Sequence, residues 1–214
     1  MKALIILPQM PSFLQQILFL ILPILGAITV HEYAHALSAF KMGDPTPKYF
    51  GRLSLNPIKH LDPIGTLVLF LTKTVGWARP VPINPFNFRD PKKGMLLVAL
   101  SGPFANLIFG LLCAFLYRSL KGLPLVFFDP LLIMLKLSVV INLGIALFNL
   151  IPVPPLDGSK ILYGILPKRK DYLLLKLERY GFLILLVLVL SGVIGGVLYP
   201  VIQSGVKFLI GESL

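Results

Sequence analysis

The chain has 214 residues, of which 56% are apolar and only 14% charged, against about 25% charged in an ordinary soluble domain; its mean hydropathy is +0.86. These figures exclude a water-soluble globule and a disordered chain, and a single cysteine, Cys113, with no glycine period excludes disulfide-rich and collagen-like classes. The net charge of +11 does not point to nucleic acid, because the bases lie in loops between apolar runs, where they orient helices and meet anionic lipid heads.

A polytopic all-α membrane protein remains, read as one domain over residues 1–214. The apolar run at the N-terminus continues past Leu20 to Phe40 without a cleavage signal, so it is expected to be retained. The first long stretch, Phe13 to Met42, is about 45 Å long as a helix, enough to cross a bilayer. Pro23 is a candidate kink, and Gly43 with Asp44-Pro45 forms a stop signal. The patch Ile64 to Val75 is too short to span, since a span needs about 20 residues. Gly94 to Tyr117, Pro130 to Ile151 and Tyr180 to Leu198 complete about four transmembrane helices, and Val201 to Ile210 reads as a short interfacial helix.

Lysine and arginine set the topology. The segment 41–93 holds nine (Lys41, Lys48, Arg52, Lys59, Lys73, Arg79, Arg89, Lys92, Lys93) and the segment 152–180 holds six (Lys160, Lys168, Arg169, Lys170, Lys176, Arg179). Only Lys2, Arg118, Lys121, Lys136 and Lys207 lie elsewhere. Both rich segments are therefore expected on the cytoplasmic side, with both termini outside. The 64–75 patch then enters and leaves on one side, as a re-entrant or in-plane element. Gly51 to Asn56 and Val81 to Asn84 alternate polar and apolar residues and read as small membrane-associated β-strands, the second confined to an edge by its prolines.

The first helix contains His31-Glu32-Tyr33-Ala34-His35, an H-E-x-x-H pattern. Positions i and i+4 share a helix face, so both imidazoles can reach one zinc ion, with Glu32 beside them where a general base belongs. Three ionisable residues in five positions of an apolar span read as functional; the alternative is a structural polar cluster between helices. A catalytic zinc needs a third protein ligand. The acids after His35 are Asp44, Asp62, Asp90, Asp129, Asp157, Asp171, Glu178 and Glu212. Asp157 stands out, because Pro152, Pro154 and Pro155 break the fourth stretch and leave extended backbone there. Such backbone is tolerated at membrane depth only where it lines a cavity; the alternative is an ordinary Asp-Gly turn. His35 lies about 12 Å from the cytoplasmic end of its helix, and Asp157 lies just past the cytoplasmic end of its own, so depth brings them together.

These pieces resemble the site-2 protease family of intramembrane zinc metalloproteases, most of all its short bacterial and archaeal members. The resemblance rests on His31 to His35, Gly51 to Pro57, His60 to Thr66, Gly102-Pro103-Phe104-Ala105-Asn106, Asn149 to Gly158 and Glu178 to Gly181, and covers roughly residues 13–198. It implies one Zn²⁺ per chain held by His31, His35 and Asp157, with Glu32 as the base and Asn149 holding the substrate or the oxyanion. It implies hydrolysis of peptide bonds in or near transmembrane segments, in a multi-pass prokaryotic cell-membrane protein whose site opens nearer the cytoplasmic face. The expected partners are transmembrane protein substrates and the lipid bilayer, with no nucleic acid, and no PDZ domain is expected. Asn106 reads equally as a packing or a catalytic residue, and His60 as a residue near the metal site or an interfacial one. Cys113 reads as packing or lipid-facing, and Lys136 as reaching the outer surface. Two rival readings stay open: a membrane-anchored H-E-x-x-H peptidase with a cytosolic site, taking Glu178 as third ligand, and a non-proteolytic zinc-binding membrane protein, either an inactive homologue or a zinc sensor or transporter.

Overall fold

The structure, a computed structural model, describes residues 13–72, 76–123, 129–167 and 171–212. The N-terminal twelve residues with Lys2, the end of the 64–75 patch with Lys73, and Lys168, Arg169 and Lys170 lie outside the described residues. The chain forms α1 (Phe13–Lys41), α2 (Thr46–Tyr49), α3 (Pro63–Thr72), α4 (Pro91–Leu120), α5 (Asp129–Asn149), α6 (Asp157–Ile165), α7 (Asp171–Leu190) and α8 (Val193–Ile210). Single 3-10 turns lie at Pro57–Lys59 and Pro85–Asn87.

Among the described residues, α1, α4, α5 and α8 are long and apolar enough to cross a membrane. α4 is the central helix and packs against α1, α5, α6 and α8. Its start is fixed locally: Pro91 occupies the first turn, and the Asp90 side chain accepts hydrogen bonds from the Lys92 and Lys93 amides. At its other end Cys113, Ala114 and Tyr117 pack with Leu135 and Val139 of α5 and with Val206 and Ile210 of α8. Cys113 is thus a packing residue. Glu212 closes this end. It accepts from Tyr117 Oη at 2.9 Å, from Lys121, and from Lys136 Nζ at 3.3 Å, so Lys136 ends in an ion pair.

The last span differs from the expectation. Tyr180 to Leu198 is not one helix, because the chain turns at Ser191-Gly192, where Gly192 takes a left-handed φ of 77° and α7 ends. The fourth candidate span is α8, which includes the stretch 201–210 expected to be a short interfacial helix. Leu143 and Gly144 of α5 meet Gly205 and Ile202 of α8, and α5 and α8 run antiparallel.

The expected strands are also absent among the described residues, where the sole bridge outside helices pairs Leu61 with Ala78. The alternation at 51–56 belongs instead to turns. Gly51 has φ 65°, and Asn56 accepts from the Ile58 amide to cap a 3-10 turn. Residues 81–84 are irregular backbone ending in a second cap, where Asn84 accepts from the Phe86 amide. The short patch becomes α3, ten residues long, too short to span.

The connection from α1 to α4 is anchored by Asp44, which is fully buried just past α1. Its carboxylate accepts from Thr46 N at 3.1 Å, Thr46 Oγ1 at 2.5 Å, Asn84 N at 2.8 Å and Asn87 Nδ2 at 2.7 Å. Burial pushes this carboxyl up, but the bonds from Thr46, Asn84 and Asn87 outweigh burial and hold it below the usual carboxylate value. His60, expected at an interface, is instead fully buried, with Nε2 2.7 Å from the Ser54 carbonyl oxygen. The buried Arg52 guanidinium donates to the Lys59 carbonyl and ties the same loop together.

Candidate metal centre

One turn of α1 sets His31 and His35 side by side, with ring centroids 4.6 Å apart and planes crossing at 85°. Both are buried. α4 passes so close that a Cβ on Gly102 would sit 2.6 Å from His35 Cε1 and 2.7 Å from His31 Cε1. Only glycine fits there, because the imidazoles occupy the space a side chain would need.

The far ring nitrogens are both engaged. His35 Nδ1 donates to the Val98 carbonyl at 2.7 Å. His31 Nδ1 donates to Asn106 Oδ1 at 2.6 Å. A backbone carbonyl only accepts, so His35 carries its proton on Nδ1. The Asn106 amide nitrogen is committed to the Ala27 carbonyl at 3.0 Å and to Asn142 Oδ1 at 2.7 Å, so its oxygen must face His31. As neutral imidazoles, both rings turn the lone pair of Nε2 inward. The two Nε2 atoms are 3.0 Å apart, and Asp157 Oδ2 lies 3.1 Å from that of His31 and 3.0 Å from that of His35.

Three acceptor atoms that face one another at such distances repel unless a cation lies among them. Tetrahedral zinc with bonds of about 2.0–2.2 Å holds its ligand atoms roughly 3.3 Å apart, close to the spacing found. The residues present thus fit a zinc ion, and among the described residues this is the group able to hold one.

Asp157 arrives differently from the expectation. The segment 151–156 is a run of bends and turns rather than extended chain, and Asp157 opens the short helix α6 as a buried residue. Gly158 permits this, since a Cβ there would run into the carbonyls of Leu150 and Ile151. The second oxygen, Oδ1, lies 3.3 Å from Lys160 Nζ, one turn along α6. His31, Glu32, His35, Asn149, Asp157 and Lys160 line one cavity of about 130 Å³, and Pro80, Val81 and Ile83 line it too. That volume admits several waters.

The structure therefore brings together every site residue expected from the sequence, with Glu32 and Asn149 on the cavity wall rather than in the ligand set. Asn149 spends one amide hydrogen on the Ile145 carbonyl at 3.0 Å and keeps the other. Asn106 hydrogen-bonds the candidate ligand His31. Glu178, the rival third ligand, is exposed on α7 and stands outside the group. Two participants escaped the sequence reading. Asn142 gives a signal only as an amide inside an apolar span; the Val98 carbonyl gives none.

An H-E-x-x-H helix, an acid from a separate helix and a glutamate on the shared cavity, all inside an apolar bundle, define a membrane protein of the metallopeptidase class. Comparison with known proteins agrees. The family model described as peptidase family M50 matches residues 124–192. The chain is 39% identical over 191 residues to a Bacillus subtilis protein named "Putative zinc metalloprotease YwhC", covering 87% of each chain. It is 28% identical over 175 residues to the Mycolicibacterium smegmatis "Putative zinc metalloprotease Rip2", covering 78% of this chain and 64% of that one. A further match, 33% identical over 99 residues, is "Zinc metalloprotease MJ0392" of Methanocaldococcus jannaschii, covering 44% of this chain and 26% of that one. No solved structure matches the chain. The chain belongs to peptidase family M50, the site-2 protease family.

Proposed function

We propose that the protein is an intramembrane zinc metallopeptidase that hydrolyses peptide bonds in or near transmembrane segments of membrane proteins, acting as a single domain over 1–214 with its core at 13–198. The observation that carries this reading is the convergence of His31 Nε2, His35 Nε2 and Asp157 Oδ2 within 3.1 Å of one another, with Glu32 on the same cavity. One Zn²⁺ held by these three residues supplies Lewis acidity toward water and the scissile carbonyl. Glu32 takes a proton from the attacking water and returns it to the departing amine nitrogen. The free amide hydrogen of Asn149 is available to the developing oxyanion. A helical substrate has its carbonyls engaged, so it must unwind to lie along the wall of Pro80, Val81 and Ile83. The lysine and arginine bias supports a site that opens toward the cytoplasm of a prokaryotic cell. Transmembrane substrates and the bilayer are the partners, and nucleic acid is not.

The test is metal analysis of purified protein together with cleavage of a labelled transmembrane substrate by wild type and Glu32→Gln. Wild type is expected to hold one zinc and to cleave; Glu32→Gln is expected to hold zinc and not to cleave. Retained turnover in Glu32→Gln removes the base assigned here. Zinc without cleavage in the wild type favours a non-proteolytic zinc protein.

A further inference from the structure

We infer that Asn142 of α5 is a positioning residue for the metal centre, acting through Asn106 to fix which nitrogen His31 turns toward the ion. This inference rests on the zinc reading above.

The connection crosses three helices. Asn142 Nδ2 donates to the Ser138 carbonyl at 2.8 Å. Asn142 Oδ1 accepts from Asn106 Nδ2 at 2.7 Å, and Asn106 Oδ1 accepts from His31 Nδ1 at 2.6 Å. Both amides are fully buried. A buried amide in an apolar span is costly unless its bonds are made, and here they are made in one consistent direction.

Backbone carbonyls enforce that direction. Ser138 O and Ala27 O can only accept, so neither amide can flip without setting oxygen against oxygen. The only atom Asn106 can then offer His31 is its oxygen. His31 must keep its proton on Nδ1 and present a bare Nε2 to the ion. Without Asn142, Asn106 is oriented by Ala27 O alone, and the imidazole gains freedom to exchange tautomers. Partners of this kind behind a metal ligand are typically worth about 10–100-fold in metal affinity.

The placement has a second consequence. α5 ends at Asn149, and eight residues later the same chain delivers Asp157. α5 therefore registers two of the three ligands, His31 through the amide chain and Asp157 through the covalent one. A shift of α5 along α4 would disturb both together.

The experiment measures zinc affinity by chelator competition for full-length wild type, Asn106→Leu, Asn142→Leu, the double variant and Asn142→Asp. Asn106→Leu is expected to weaken zinc about 10–100-fold and Asn142→Leu by a smaller factor. The double variant is expected to be no weaker than Asn106→Leu, because Asn142 acts only through Asn106; independent packing losses would instead multiply. Asn142→Asp, entering the apolar helix as the neutral acid, can give its O–H to Ser138 O and its carbonyl oxygen to Asn106, and is expected to stay near wild type, which also guards against a simple folding defect.

A second readout needs no metal. The chain has three histidines, so ring ¹⁵N shifts of zinc-free protein at mildly alkaline pH are tractable. His31 is expected as the Nδ1–H tautomer in wild type and as a mixture in Asn142→Leu. Unchanged zinc affinity in Asn142→Leu, multiplying losses in the double variant, or an unchanged tautomer would overturn the inference. A wild type that binds no zinc overturns the zinc reading itself, and the nitrogen shifts then judge the amide chain alone.

Discussion

Lys160 Nζ lies 3.3 Å from Asp157 Oδ1, while both histidine nitrogens face Oδ2. The carboxylate is divided, with one oxygen for the ion and one for the lysine. Removing the lysine has two opposed effects on affinity. It relieves repulsion of a cation, and it loosens the carboxylate. The pair is half-exposed on the lysine side, so each effect is small. Coordination number is the more sensitive readout. Lys160→Met frees Oδ1 to join the ion, so the cobalt-substituted protein is expected to shift from the intense visible bands of four-coordinate Co²⁺ to the weaker ones of five-coordinate Co²⁺. Lys160→Arg should restore the first spectrum. Identical spectra in all three proteins would show that Lys160 does not set the carboxylate's mode of binding.

Gly102→Ala puts a methyl group into the two imidazole rings. The rings cannot retreat, because Val98 O and Asn106 Oδ1 hold their far nitrogens. The helix itself would tolerate alanine. Loss of stability is expected at about 1–3 kcal/mol, as for other overpacked sites, together with loss of most bound zinc. Gly195→Ala, where no atom lies within 4 Å, serves as the control and should keep its metal. Full zinc occupancy in Gly102→Ala would contradict the close passage of α4 over the ligands.

Asp44 predicts a pH dependence outside the metal centre. Its folded carboxyl ionises below the ordinary carboxylate value near 3.9. Its stabilisation is therefore complete above about pH 4 and is lost as pH falls through the depressed value. Asp44→Ala leaves the Asn84 amide and the Asn87 side chain unpartnered, costing about 1–3 kcal/mol at neutral pH. Thermal unfolding of wild type is expected to decline below pH 4 more steeply than that of Asp44→Ala. Parallel declines would mean that the carboxylate does not hold the α1–α4 connection.

How much of this was legible depends on range. The pair His31 and His35 is a local fact of helical spacing and could be read directly. Asp157 was legible because acids are scarce and charge bias set the depth of both chain segments. The Asn106–Asn142 bond was not, since it depends on the register of α4 against α5, which no local pattern encodes. The break at Ser191-Gly192 was hidden in a run of apolar residues, where a lone glycine is weak punctuation. The expected strands failed for another reason. The alternation at 51–56 arises from a left-handed Gly51, from Asn56 as a cap and from the Ser54 carbonyl that anchors His60. Turn chemistry imitated a period of two.

The last prediction separates two ligand sets. Asp157 is buried with Oδ2 within 3.1 Å of both histidines, while Glu178 is exposed on α7. Asp157→Ala leaves two lone pairs facing each other and only two protein ligands, fewer than a catalytic zinc site normally has. Its zinc affinity should fall by more than the roughly 10–100-fold typical of losing a hydrogen-bonded partner, and hydrolysis should cease. Size-exclusion profiles should still show an assembled bundle, since the cluster of Cys113, Ala114 and Tyr117 with Leu135, Val139, Val206 and Ile210 that joins α4, α5 and α8 does not include this residue. Asp157→Asn keeps a carbonyl oxygen without the charge and should bind zinc weakly. Glu178→Ala should match wild type in metal content. Zinc kept by Asp157→Ala and lost by Glu178→Ala would replace the ligand set assigned here with that of a peptidase whose third ligand comes from α7.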